Sequence, residues 1–272
     1  MPLEPGKDLG RPLSVWKEKD SIDGSEVDVL VMILKTRGCS WASRTGCTMC
    51  GYNSTTFPDI TADDLIHQVN SALERYQDET YIKIFTSGSF LDPDEVPVRA
   101  VEEITRSISG RSPSARLLVE SRPEFISERS LSPLLEMEAG AEIAIGLESS
   151  SDLVRGSHIR KGFSWQDYIK AGRTVIESGS HLKTYLLLKP PFLGEGDAIK
   201  DCISSIEAVH SLFPGSRISI NPMNIQSQSL VEPLFNKHAY RPPWLWSLIE
   251  VLKEGYRITN GSTHLMSSPT AG

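Results

Sequence analysis

Six short apolar runs, separated by longer amphipathic segments, limit the folds open to this chain. The runs span residues 27–34, 81–86, 116–120, 141–147, 182–189 and 217–220. Apolar runs of this length predict parallel strands that are buried on both faces. The segments between them are long enough to form crossover helices, and they lie at 61–77, 95–108, 127–137, 164–177 and 196–212. At the start of the first segment, Thr61 and Asp64 predict a capping box.

Right-handed crossovers between such strands give a sheet that curves towards a barrel. We therefore predict an α/β fold, a partial (βα)6 TIM-like barrel with parallel strands, because six units fall short of the eight of a closed barrel. We expect a loosely ordered lead-in over 1–26, the barrel over 27–226 and a C-terminal extension over 227–272. That extension need not be the natural end of the protein. Functional residues are expected at the carboxyl ends of the strands.

Charge and hydropathy exclude several classes of protein. The chain of 272 residues carries 28 Lys and Arg against 35 Asp and Glu, a net charge of −7 that argues against a stand-alone nucleic-acid binder. No stretch reaches the roughly 18 apolar residues of a membrane-spanning helix. The polar N-terminus does not resemble a secretory signal. We expect a cytoplasmic protein with no membrane association, in a compartment where thiols stay reduced.

Three cysteines follow the first predicted strand, Cys39, Cys47 and Cys50, in a C-x7-C-x2-C pattern. Three thiolates can hold three irons of a 4Fe-4S cluster and leave the fourth iron open for chemistry. A structural zinc site, which needs four ligands, and a chance group of core cysteines are the alternatives. Cys202 lies in a predicted helix, and we expect it to be buried.

The cysteine loop and three later stretches resemble the radical S-adenosylmethionine (SAM) superfamily, in the branch that includes the elongator catalytic subunit. The spacing departs from the usual C-x3-C-x2-C, and longer first gaps occur in that branch. The later stretches are S-G-S-F at 87–90, E-S-R-P-E at 120–124 and G-L-E-S at 146–149. More narrowly, the loop at 37–52, with 87–92 and 221–226, is similar to the radical SAM subunits of archaeosine synthases.

The resemblance implies a 4Fe-4S cluster on the three cysteines, with SAM on the open iron. The backbone of Gly88 and Ser89 would contact the methionine amine, Arg122 its carboxylate, and Glu148 the ribose hydroxyls. The full set of implied SAM-binding residues is Gly88, Ser89, Arg122, Glu148, Ser149, Asn221 and Gln226. The substrate contacts that we predict are Arg37, Tyr52, Lys189 and Asn224. A strand-end turn, a surface ion pair or a helix cap is the ordinary alternative at these positions.

In the archaeosine family a partner enzyme adds lysine to a deazaguanine base of archaeal tRNA, and the radical SAM subunit then breaks the lysine C–N bond. The resemblance therefore implies a lyase whose partners are tRNA carrying a lysine-modified deazaguanine, the lysine-adding subunit and an external electron donor. Candidate RNA contacts are Lys35, Arg37, Arg44, Arg155, His158, Arg160 and Lys161. The apolar stretch at 242–246 is expected to pack on the barrel or to dock the partner.

Two other functions stay open. The first is another radical SAM enzyme of the elongator-like branch that modifies a different tRNA base or a small molecule. The second is a zinc-stabilised, non-enzymatic RNA-binding or scaffold subunit.

Overall fold

The structure, a computed structural model, describes residues 8–22 and 24–267. Its strands are β1 (Ser14–Ile22), β2 (Ser25–Ile33), β3 (Tyr81–Phe85), β4 (Arg116–Glu120), β5 (Ala141–Glu148), β6 (His181–Leu188), β7 (Arg217–Pro222) and β8 (His264–Met266). Its helices are α1 (Ala62–Leu73), α2 (Val98–Arg111), α3 (Glu128–Leu131), α4 (Trp165–Glu177), α5 (Glu195–Leu212), α6 (Val231–Asn236) and α7 (Leu245–Thr259). Short 3-10 turns lie at Tyr52–Ser54, Pro123–Phe125 and Ser132–Glu136, and a π-helical turn lies at Val154–Ile159.

The strands follow one another in the sheet in chain order. β1 pairs with β2 antiparallel, whereas β2 with β3, β3 with β4, β6 with β7 and β7 with β8 pair parallel. Each strand from β2 to β7 is followed by one of the helices α1 to α6, in the predicted order of six βα units. The fold class is therefore α/β with mostly parallel strands, as the sequence predicts.

The chain packs into two units. The first holds the residues up to Ser40, Thr55–Ile143 and Thr174–His181. Its central strands are apolar on both faces because helices and neighbouring strands cover them: Leu30, Ile82 and Leu118 are fully buried. α1 packs against α2, and the predicted capping box opens α1, with Asp64 N–H donating to Thr61 Oγ1 at 3.2 Å and Thr61 N–H to Asp64 Oδ2 at 2.9 Å.

The second unit holds Trp41–Ser54, Ala144–Arg173 and the chain from Leu182 onward. Leu186, Leu188, Ile218 and Ile220 on β6 and β7 form part of its core. α5 packs against α7. Among the described residues, no helix combines the length and the apolar character that crossing a membrane would require.

The predicted loose lead-in is wrong for residues 14–22. They form β1, which pairs along its whole length with β2, from Ser14 opposite Ile33 to Ile22 opposite Ser25. The prediction failed because β1 is a charged edge strand with the sequence SVWKEKDSI, which lacks an apolar run. The three-region division otherwise stays a prediction, and residues 268–272 at its end lie outside the described part of the chain.

Two predicted helices differ in extent from the observed ones. The segment 127–137 breaks into α3 and the 3-10 turn Ser132–Glu136, because Pro133 cannot donate the hydrogen bond that would continue the helix. The helix predicted to begin at Glu95 begins instead at Val98, with Pro97 as its N-cap. Glu95 is thereby left in the loop that precedes α2.

Candidate active site

None of the four cysteines is in a disulfide bond, and the three of the predicted cluster differ from Cys202 in exposure. Cys39, Cys47 and Cys50 are partly exposed, whereas Cys202 is buried in α5, as predicted. Burial raises the pKa of the Cys202 thiol, and nearby Asp201 adds to the effect, so this cysteine is a poor metal ligand. Within residues 8–22 and 24–267, no three His, Cys, Asp or Glu side chains are grouped so that they could hold a metal ion.

In the first unit, the carboxylate of Glu95 joins the loop that leads to Cys39 with the loop that follows β3. Thr36 Oγ1 donates to Glu95 Oε1 at 2.6 Å, Gly88 N–H to Oε1 at 3.0 Å and Ser89 N–H to Oε2 at 2.6 Å. Glu95 has no exposed surface. Burial raises its pKa and the Asp92 charge adds to the rise, while the three donors act in the opposite direction.

Gly88 lies directly against Cys39. A Cβ at Gly88 would be 2.6 Å from Cys39 Cβ and 2.7 Å from Cys39 Cα, closer than real Cβ atoms approach. Ser89 continues the arrangement, because its Oγ accepts a hydrogen bond from Arg122 N–H at 3.0 Å. The first unit thus brings together four residues that the sequence predicts for the site: Cys39, Gly88, Ser89 and Arg122.

The side chains of Arg122 and Arg37 have defined partners in the first unit. Arg122 is buried, and its Nε donates to Glu124 Oε1 at 2.6 Å. Arg37 is exposed, and its Nε donates to the carbonyl oxygen of Ile60 at 3.2 Å. Ser40, next to Cys39, donates to the Asp92 carboxylate. The contacts of Arg37 and Ser40 hold the loop on either side of Cys39.

In the second unit, hydrogen bonds anchor the loop that carries Cys47 and Cys50 at both ends. Trp41 Nε1 donates to the carbonyl oxygen of Arg160 at 2.8 Å, and the Trp41 ring lies against Gly162, where a Cβ would be 2.4 Å away. Thr48 N–H donates to the carbonyl oxygen of Ile159 at 2.9 Å, and Cys50 N–H donates to that of Cys47 at 3.2 Å. The loop therefore has a defined course.

Gln226, predicted to bind SAM, holds the far end of this cysteine loop. Gly51 N–H donates to Gln226 Oε1 at 2.6 Å. A Cβ at Gly51 would be 2.2 Å from the carbonyl oxygen of Ser227, so only glycine allows this approach. Tyr52, the residue after Gly51, is predicted to contact the substrate and is 62% exposed. Asn221, predicted to bind SAM, lies five residues before Gln226, and its Oδ1 accepts a hydrogen bond from Ser219 Oγ at 3.2 Å.

Glu148 is the last residue of β5, and Ser149 follows it; both lie in the second unit. Glu148 has φ of +68°, a conformation rare outside glycine that marks local strain. Its Oε1 pairs with Lys161 Nζ at 2.7 Å, and both side chains are largely buried. Ser149 Oγ donates to Asp201 Oδ1 at 2.8 Å. Burial raises the pKa of Asp201, although the Ser149 hydrogen bond opposes the rise.

Lys189 occupies the corresponding position after β6. It too has a positive φ, +65°. Its Nζ pairs with Glu195 Oε2 at 2.7 Å, and its carbonyl oxygen accepts from Tyr240 Oη at 2.7 Å. Two predicted site residues, Glu148 and Lys189, therefore share an uncommon backbone conformation at the carboxyl ends of neighbouring strands, which is typical of functional positions.

The prediction that Arg155 contacts RNA is wrong. Arg155 lies in the π-helical turn and is completely buried. Its guanidinium donates to the carbonyl oxygen of Ser149 at 2.5 Å and to that of Phe163 at 3.1 Å, and it pairs with Asp152. The side chain therefore braces the backbone behind Ser149. Sequence alone could not separate it from the exposed Arg160 five residues later.

Sequence reasoning also missed Glu95 and assigned no partner to Glu148. Glu95 lies in the acidic stretch D-P-D-E at 92–95, where a helix start is the ordinary interpretation. Its partner Thr36 is 59 residues away in the chain, so no local pattern reports the contact. Lys161, the ion-pair partner of Glu148, is predicted from the sequence only as an RNA contact.

No protein-family model matches the chain. Two relatives are named archaeosine synthase subunit beta. The relative from Methanosarcina acetivorans is 38% identical, over 95% of this chain and 75% of its own. The relative from Thermococcus kodakarensis is 35% identical, over 88% of this chain and 76% of its own.

Solved structures share the fold. Elp3 from the archaeon Methanocaldococcus infernus matches with a TM-score of 0.56 at 16% identity, over 74% of this chain and 51% of its own. The radical SAM methyltransferase TsrM from Kitasatospora setae, solved with cobalamin and a 4Fe-4S cluster, matches with a TM-score of 0.53 at 16% identity, over 74% of this chain and 38% of its own. These likenesses concern the fold alone, and they confirm the predicted fold class.

Proposed function

The chain belongs to the family of archaeosine synthase subunit beta, and from this we propose that it is a radical SAM enzyme of tRNA modification that cleaves a lysine C–N bond. Its substrate in this proposal is archaeal tRNA whose 7-deazaguanine base carries lysine, and its product is archaeosine. The family relatives and the shared fold support the tRNA-modifying part. The radical SAM part of the proposal rests on the cysteine loop, because its three thiols are the kind of ligand that iron–sulfur clusters use.

The thiol chemistry of Cys39, Cys47 and Cys50 suits a 4Fe-4S cluster, although their side chains are not grouped as a metal-binding set among the described residues. In this proposal the three cysteines come together when the cluster binds. All three cysteines are partly exposed and outside disulfide bonds, and thiolates are the usual ligands of such clusters. The missing side chain at Gly88 lets the backbone of that loop lie directly against Cys39. When bound, the cluster and SAM supply one-electron cleavage of the sulfonium and a carbon radical that removes hydrogen from the lysine moiety.

The residues of this chain then bind and orient the cofactor and the substrate. The N–H groups of Gly88 and Ser89 already donate to Glu95, so contact with the SAM amine falls to the carbonyl oxygens of that loop. We assign the ribose hydroxyls to Glu148, whose carboxylate Lys161 orients, and the SAM carboxylate to Arg122. Ser149 and Asn221 complete the proposed SAM contacts.

Gln226 has two roles in this proposal. Its side-chain oxygen positions the cysteine loop through Gly51. The loop around Gln226 also contacts the adenine of SAM or the modified base of the tRNA. Substrate contacts are assigned to Arg37, Tyr52, Lys189 and Asn224, of which Tyr52 is the most open. A lysine-adding subunit and an external electron donor are the partners. A cytoplasmic location, where thiols stay reduced, is part of the same proposal.

The test is anaerobic purification with iron, sulfide and zinc analysis, followed by dithionite and SAM. We expect four irons per chain by cluster stoichiometry, and 5′-deoxyadenosine and a lysine-derived fragment that rise only with lysine-adduct tRNA. That fragment lacks the side-chain nitrogen of lysine, which stays on the base when the C–N bond breaks. Cys39→Ser should lose iron and both products, whereas the control Cys202→Ala should keep them because Cys202 is buried in α5.

Other outcomes reject the proposal at different levels. A cluster that yields deoxyadenosine without release of the lysine-derived fragment would leave a radical SAM enzyme with another substrate. Zinc without iron would reject the mechanism and favour a zinc-stabilised scaffold.

A further inference from the structure

A segment from the end of α6 to the first turn of α7 presents aromatic and cationic side chains. It comprises residues 235–246 and is called here the basic aromatic segment. It contains Lys237, His238 and Arg241, and no Asp or Glu occurs from 233 to 249. The exposed aromatic side chains are Phe235 at 43%, Trp244 at 54% and Trp246 at 77%. In a chain with a net charge of −7, this segment is a local exception.

Contacts within the second unit hold the basic aromatic segment beside the end of β6. Tyr240 Oη donates to the carbonyl oxygen of Lys189 at 2.7 Å, and Trp244 N–H donates to Glu195 Oε1 at 2.9 Å. Tyr240 also belongs to a buried apolar cluster against which Cys47 packs. The segment therefore lies at a strand end, where α/β folds bind their ligands, and next to a proposed cluster ligand.

The cation and the aromatic ring of the segment are in contact with each other. The Arg241 guanidinium carbon lies 4.3 Å from the centroid of the Trp244 ring. Glu195 Oε2 is 3.8 Å from Arg241 but 2.7 Å from Lys189, so two cations face one carboxylate and one positive charge remains. An exposed indole beside such a charge offers a face for a nucleotide base and a partner for its phosphate.

We propose that the basic aromatic segment binds RNA by stacking unpaired nucleotides on Trp244 and Trp246 next to the reacting base. This inference rests on the proposed function, because a base must leave its stack before an enzyme can act on it. Exposed tryptophans also occur in protein interfaces. The charge of the segment favours RNA, since its cations attract phosphates and it contributes no carboxylate of its own.

The probe is a fluorescently labelled, unmodified tRNA transcript, and binding to the purified chain is followed by anisotropy at several salt concentrations. Trp244→Ala and Trp246→Ala should each weaken binding about tenfold, which is the size of one lost base–aromatic stack. Trp246→Phe should restore most of the affinity. Arg241→Gln should reduce the salt slope by about 0.7, the value for one phosphate contact to a single strand.

Matched controls come from the same unit. Tyr256→Ala removes another exposed aromatic side chain of α7, and Lys200→Gln removes an exposed cation of α5. Both should bind the transcript as the unaltered chain does. RNA should also quench tryptophan fluorescence of the unaltered chain more than that of Trp246→Phe, and thermal melts establish that each variant is folded.

Three results would overturn the proposal. The first is unchanged binding by both alanine variants, and the second is no measurable binding by the unaltered chain at about 100 µM, the weak limit for non-specific contacts. The third is loss of association with the lysine-adding subunit while RNA binding persists, which would make the segment a protein interface. Release of the lysine-derived fragment by the unaltered chain is measured in parallel, so that failure of the proposed function is seen separately.

Discussion

Gly88 is a residue at which close backbone approach matters to the candidate site. A side chain there would meet Cys39 and, at 2.6 Å, the Glu95 carboxylate. Because Glu95 is buried and bonded to two neighbouring N–H groups, it cannot move away without breaking them. The loop after β3 and the start of the cysteine loop therefore depend on a glycine at this point.

Gly88→Ala should lower the free energy of unfolding by about 1–3 kcal/mol, the usual cost of overpacking. Urea unfolding measures it, and the same variant should take up less iron during anaerobic reconstitution. The control is Gly110→Ala in α2, where a Cβ meets nothing within 4 Å. That change should be neutral or stabilise by about 0.5–1 kcal/mol. Equal stability of the two variants would contradict this account of Gly88.

At the scale of elements, Glu195 connects the end of β6 with the starts of α5 and α7. It accepts from Lys189 Nζ at 2.7 Å, Ser247 Oγ at 2.6 Å and Trp244 N–H at 2.9 Å. Burial acts to raise the pKa of Glu195, but these donors and the Lys189 charge outweigh it, so the pKa lies below its ordinary value of 4.5. One carboxylate thereby holds three elements together.

This lowered pKa predicts a specific loss of stability in acid. The unfolded chain binds the proton more readily, so the stabilisation by Glu195 is present above pH 4.5 and is lost as the pH falls through the lower pKa of the folded state. The Glu195→Gln variant should be less stable than the unaltered chain at neutral pH. Its melting temperature should fall less than that of the unaltered chain when the pH is lowered. Glu250→Gln, an exposed change on α7, is the control. Parallel pH profiles for the chain and Glu195→Gln would refute the prediction.

At the scale of the whole molecule, the net charge of −7 limits how strongly this chain can hold tRNA. Phosphate contacts dominate RNA affinity, and the basic aromatic segment supplies only a few cations. We expect the chain with its lysine-adding subunit to bind tRNA more tightly than the chain alone. The comparison is made by titration at matched salt, and equal affinities would show that the partner does not hold the tRNA.

Strands β2 to β7, the capping box of α1, the order of the βα units and the burial of Cys202 could all be predicted from the amino-acid sequence. These are local properties: apolar runs, turn residues and cap residues act through neighbours in the chain. β1 was not predicted, because this charged edge strand is stabilised by pairing with β2. Its own composition does not indicate that pairing. Pro133 is a recognisable helix breaker, but the segment 127–137 is long enough for one helix, so the sequence predicts a single helix there.

The roles of individual side chains became visible only in the three-dimensional fold. Glu95 was predicted to open a helix, yet its carboxylate bonds to Thr36, Gly88 and Ser89. Arg155 was predicted to reach RNA, yet it is buried behind Ser149. Glu148 and Lys189 adopt positive φ angles that their residue types disfavour. The physical reason is that polar groups taken out of water must find partners, and those partners are fixed by packing between segments distant in sequence.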